Sequence, residues 1–134
     1  MLYLWTLGYL VMDAAYVISS KGTYMKAVSA VSGSVPKDMA KIVICAVCAY
    51  ALMALGWTMI VVPAISKKKD RIVSGANLGA LYGLVLYGIF NFTTGAMFDA
   101  WSWPIIVRDT LWGTSSLAAY TALYAWGTSP IDPS

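Results

Sequence analysis

Four long apolar runs divide the chain, at about 2–20, 42–65, 72–97 and 104–126. At 1.5 Å per residue, a helix of about 20 residues crosses the roughly 30 Å hydrocarbon layer, so each run predicts one transmembrane helix. The few polar positions inside these runs are ordered. In the first, Thr6, Tyr9, Asp13, Tyr16 and Ser20 recur at helical spacing and make one polar stripe, which should meet protein or water and not lipid. In the third, Gly75, Gly79, Gly83, Tyr87, Asn91 and Gly95 fall on a single ridge, whose glycines predict helix packing, within the chain or in a dimer. In the fourth, Asp109 shares a face with Trp112, Gly113, Ser116 and Tyr120, while Arg108 points about 100° away and can snorkel or reach a neighbour.

The connections are short. Between the first two runs, Tyr24, Val28, Val31 and Val35 recur at near-helical spacing beside Lys21 and Lys26, until Ser32, Gly33, Ser34 and Pro36 interrupt them. That pattern fits a short helix lying in the membrane interface, and equally an irregular loop held at the headgroups by its lysines. Ser66 to Arg71 allows only a tight turn, and Pro104 opens the last run where a missing N–H costs least. The first run has the length of a signal peptide but lacks a basic leading region and carries Asp13, so it reads as a retained span. The expected architecture is an all-α integral membrane protein, a four-transmembrane-helix bundle with a short interfacial segment between its first and second helices. A single transmembrane domain is expected over residues 1–134.

Composition agrees. Of 134 residues, 60% are hydrophobic and 11% charged, and the mean hydropathy is +0.70, outside the range of soluble domains. The net charge of +3 comes from Lys67, Lys68, Lys69 and Arg71 in one turn and from Lys21, Lys26, Lys37 and Lys41 around another. Basic clusters beside apolar spans point to anionic headgroups and topology, and no nucleic-acid partner is expected. With four crossings both termini share a side with the Lys67–Arg71 turn, which its positive charge predicts to be cytoplasmic. Trp101, Trp103 and Trp126 read as interfacial anchors.

The charges inside the runs carry the candidate chemistry. A charged side chain at mid-bilayer costs on the order of 2.5 to 3.5 kcal/mol, so such groups pair, face water or work. Counting along the helices puts Asp13 and Asn91 roughly 10 Å below one membrane surface and Arg108 and Asp109 roughly 6 to 8 Å below it, in one polar layer. One reading is a pocket that binds or conducts a small solute or a proton, with Asp13 and Asp109 as the acids and Arg108 as counter-charge or anion site. The other is a buried network that fixes helix register in a scaffold or accessory subunit of a larger assembly. Four short helices enclose little volume, so a homo-oligomer or a membrane-protein partner is expected. Cys45 and Cys48 form C-x-x-C, but no histidine or second such pair completes a metal site, and within a membrane helix cysteine packs as a small apolar residue. No metal or other cofactor is expected. The common enzyme signatures are missing, and no catalytic residue is assigned.

From Tyr87 onward, Tyr87, Gly88, Asn91 and Thr93, followed by Trp103, Pro104, Asp109, Trp112 and Gly113, resemble the small membrane proteins of domain-of-unknown-function family 2177. Asp13 and Tyr16 look like that family's D-x-x-W, and Tyr24 resembles an aromatic of its first loop. The resemblance implies a four-helix membrane protein and supplies no activity. Together with the depth counted along the helices, which adds Arg108, it singles out Asp13, Tyr16, Tyr87, Asn91, Arg108, Asp109 and Trp112 as the layer to inspect. The chain departs from the pattern Y-D-L-T-N, which here reads Phe90, Asn91, Phe92, Thr93 and Thr94, so an amide stands where the family has an acid.

Overall fold

The computed structural model describes residues 2–33 and 38–129, and their regular structure is entirely helical. Ser34, Val35, Pro36 and Lys37 of the first connection and the extreme ends of the expected domain lie outside the described residues. Helix α1 spans Leu2–Ser19, α2 Lys21–Ser32, α3 Met39–Ser66, α4 Arg71–Met97 and α5 Trp103–Gly127. The four long helices lie on the four apolar runs. In the first connection the described residues form the helix α2, closed by Gly33 at φ 69°, a left-handed conformation that glycine adopts without a Cβ clash.

Helix ends follow the capping residues. Asp38 accepts from Lys41 N at 3.0 Å and starts α3, and Asp70 accepts from Val73 N at 3.1 Å and starts α4. Pro104 occupies the first turn of α5. Within α3, residues Trp57–Val61 widen into a π turn in which Val62 N–H bonds Trp57 O. Pro63 follows after Val62, and the wider turn accommodates a residue that can neither donate an amide proton nor fit a regular helix interior. It also turns Trp57, Val61, Val62 and Ile65 inward together.

Three helices, α1, α3 and α4, are long and apolar enough to cross a membrane. The fourth expected span, α5, has 25 residues but is not among them, because Ser, Thr, Arg and Asp dilute its apolar character. Of those residues, Asp109, Thr110, Ser116 and Thr121 are covered by protein. Ten residues of α5 are buried, against none in Met39–Gly56 of α3. Leu117, Thr121 and Ala125 are fully enclosed, packed with Tyr9, Trp57, Val61, Val62, Ile65, Tyr87 and Tyr124. A smaller core of Ala27, Trp101, Ile105 and Ile106 joins α2 to the start of α5.

Helices α4 and α5 approach closely along the glycine ridge. A Cβ on Gly83 would fall 2.1 Å from Gly113 O, and one on Gly79 would fall 2.3 Å from Leu117 O, so only glycine fits at either position. The neighbour that the ridge of Gly75, Gly79 and Gly83 admits is thus α5 of the same chain. The outer surfaces carry exposed apolar side chains such as Val11, Val47, Leu52, Met59 and Leu111. That is the surface a helix presents to lipid, which is as apolar as leucine.

Candidate functional site

Asp13 on α1 is 3% exposed and meets donors from three other helices. Tyr87 OH of α4 and Trp112 Nε1 of α5 (3.1 Å) donate to its Oδ1, and Tyr50 OH of α3 donates to its Oδ2 at 3.2 Å. Tyr9 OH lies 3.3 Å from Tyr87 OH. Because Tyr87 uses its one hydroxyl hydrogen on Asp13, Tyr9 is the donor to Tyr87. Tyr16, one turn beyond Asp13, stacks on Trp112 with ring centroids 4.2 Å apart and planes at 10°, holding the indole that donates to Asp13.

Asp109 on α5 is the centre of the second half. Tyr24 OH of α2 donates to its Oδ1, and Asn91 Nδ2 of α4 donates to its Oδ2 at 2.7 Å. Asn91 is fully buried and bonded on both sides of its amide. Its Nδ2 also donates to Tyr87 O at 2.9 Å, and its Oδ1 accepts from Trp101 Nε1 at 3.0 Å. An indole N–H only donates and a carbonyl only accepts, so the amide orientation is fixed by chemistry. Tyr87 therefore joins the halves, with its hydroxyl on Asp13 and its carbonyl on Asn91. The network draws on all five helices.

Tyr24 stacks on Trp101 with centroids 5.9 Å apart, and the exposed Arg108 guanidinium sits 5.8 Å from the Tyr24 ring centre. Burial, and then the hydrogen bond to Asp109, push the Tyr24 hydroxyl above its ordinary range and keep it a donor. Among the described residues, Arg108 pairs with neither carboxylate. The described donors to both acids, Tyr24, Tyr50, Tyr87, Asn91 and Trp112, are all neutral.

The structure thus brings Asp13, Tyr16, Tyr87, Asn91, Asp109 and Trp112 into one connected set and leaves Arg108 at its edge. Sequence reasoning missed Tyr50, whose hydroxyl, alone among apolar neighbours at the middle of a span, was the available signal. It also misplaced Trp101, taken as an interfacial anchor. Trp101 is 7% exposed and serves Asn91, because α2 folds over the turn between α4 and α5, whereas Trp103 and Trp126 are exposed. Cys45 and Cys48 are free and exposed on α3, away from the network. Among the described residues, no three His, Cys, Asp or Glu side chains gather where a metal could bind.

A shallow groove of about 310 Å³ runs between α1 and α5, lined by Met12, Trp112, Ser116 and Tyr120 among others. It reaches Trp112 but neither carboxylate. No curated protein and no solved structure matches the chain. A family model does, that described as "Predicted membrane protein (DUF2177)". It matches residues 1–127, nearly the whole length, and the chain belongs to that family.

Proposed function

We propose that this is a four-span membrane protein of the scaffold or accessory class, in which the polar layer clamps the helices together and the outward faces do the work. The observation that carries the reading is Asp13, the common acceptor of Tyr50, Tyr87 and Trp112 from three different helices, with the groove between α1 and α5 stopping at Trp112. A carboxylate that serves as the common acceptor of separate helices fixes their mutual register and leaves little room for a solute. In this reading α5 is the fourth crossing, with its buried face packed against the other helices and its outer face, at Val107 and Leu111, toward lipid. The positive Lys67–Arg71 turn supports a cytoplasmic side for both termini in this reading.

Mass measurement in mild detergent and cross-linking in native membranes test the proposal, with a stable homo-oligomer or a bound membrane partner as the expected result. A monomer without partners in its own membrane would count against it.

One observation favours a second reading, proton handling. Each acid has one oxygen held by a group that only donates, Trp112 Nε1 or Asn91 Nδ2, and the other on a tyrosine hydroxyl, Tyr50 or Tyr24. A hydroxyl reverses its hydrogen freely, so either acid can gain a proton without losing a partner. Liposomes holding the wild type or Asp109→Asn would separate the readings. Faster dissipation of a pH gradient by the wild type alone supports proton transfer, and traces identical to empty liposomes support the clamp.

A further inference from the structure

At the end of the helices remote from Asp13 and Asp109, the turn between α3 and α4 meets the end of α5. An open cleft of about 580 Å³ lies there, lined by Lys69, Asp70, Arg71, Ile72 and Ser129. Its charged groups are not equivalent. Asp70 already accepts from Val73 N as the cap of α4, so part of its charge is taken up by the helix end. Arg71 is half-buried and held in place by Thr128, with Nη1 donating to the Thr128 carbonyl at 2.8 Å and Nη2 to its hydroxyl at 3.0 Å. Two of its five N–H groups are thereby used, and the planar fork is oriented before any ligand arrives.

Lys69 completes a pair of cations against one engaged acid. Ser129 donates its one hydroxyl hydrogen to Ala125 O at 2.7 Å, which leaves Arg71 and Lys69 as the cleft's donors to an anion. The remaining wall is Ile72, 44% exposed, and it continues into the apolar flank of α4 at Val73. A cleft with an oriented guanidinium and an ammonium at one end and a lipid-facing apolar side at the other suits an anion with an apolar body. We propose that this cleft binds the phosphate of an anionic phospholipid headgroup, with the acyl chains running along Ile72. Basic pockets beside membrane helices recognise headgroups in this way, and a guanidinium matches phosphate in two-point fashion.

The test uses the full-length protein purified in neutral detergent, with binding read by native mass spectrometry and by thermal unfolding. The probes are phosphatidylglycerol, phosphatidylcholine and inorganic phosphate. Lys69→Gln removes a charge from the cleft, and Lys67→Gln removes the same charge from the same turn without touching the lining. Phosphatidylglycerol should bind and stabilise where phosphatidylcholine does not. Lys69→Gln should weaken it about fivefold, the equivalent of about 1 kcal/mol for one near-surface cation, and Lys67→Gln less than about twofold. Equal losses in the two variants would reduce the effect to diffuse attraction and overturn the site. Equal binding of phosphatidylcholine, or inorganic phosphate as effective as the lipid, would overturn the assignment of a lipid ligand.

Discussion

The ring of Tyr87 lies against the bare α-carbon of Gly113, so close that a Cβ there would fall 2.0 Å from Cδ2. The tyrosine that links the two acids thus owes its position to a glycine on the facing helix. Gly113→Ala and Gly83→Ala should each destabilise the fold by at least 1 to 3 kcal/mol, the usual range for overpacking. Gly88 is the internal control, since a Cβ there meets nothing closer than 3.9 Å, and Gly88→Ala should be nearly neutral. Unfolding in mixed detergent measures all three, and equal effects would refute the close-approach argument.

Asp13→Ala should cost more than Asp13→Asn. Alanine leaves the hydroxyls of Tyr50 and Tyr87 and the indole N–H of Trp112 without their acceptor, whereas asparagine keeps one acceptor oxygen. The difference is expected at about 1 to 3 kcal/mol, the range for leaving a buried polar group unsatisfied. The same unfolding assay decides it, and indistinguishable variants would remove Asp13 as the common acceptor.

Asn91→Asp restores the acid of the family pattern and puts a carboxylate 2.7 Å from Asp109 Oδ2, where Asn91 Nδ2 now donates. Two acids so placed cannot both ionise, so the folded variant must hold a proton that the unfolded chain releases. Its stability should be greatest at low pH and fall as pH rises, more steeply than that of the wild type. Tm measured from pH 5 to 9 reads this directly, and parallel profiles for the two proteins would contradict the Asn91–Asp109 contact.

Trp57 Nε1 donates to Thr121 Oγ1 at 3.1 Å, tying the π turn of α3 to α5. A double-mutant cycle of Trp57→Phe and Thr121→Val should give a coupling of about 0.5 to 1.5 kcal/mol. Strict additivity would show that the bond does not hold α3.

The long helices were legible because their signal is local. Length and apolar continuity specify a membrane helix, Asp38 and Asp70 cap the helices that follow them, and helical spacing alone aligned Asp13 with Tyr16 and Asp109 with Trp112. The glycine ridge announced a close contact, but not with which helix.

Partner choice depends on how separate helices dock. Tyr50, Trp101 and Tyr24 enter the network because α3, the α4–α5 turn and α2 converge on α5, and no spacing rule relates positions 74 or 99 residues apart such as Asp13 with Tyr87 or Trp112. Arg108 and Asp109 are neighbours in the chain, yet the helix turns them to different sides, one onto the face of Tyr24 and the other onto Asn91. The sequence by itself determined that the chain is apolar and helical and which faces are polar. Only the tertiary structure decided that the two acids are met by neutral donors and not by the adjacent arginine. The reason is physical: one residue of helix turns a side chain by about 100°, so adjacency along the chain is not contact across it.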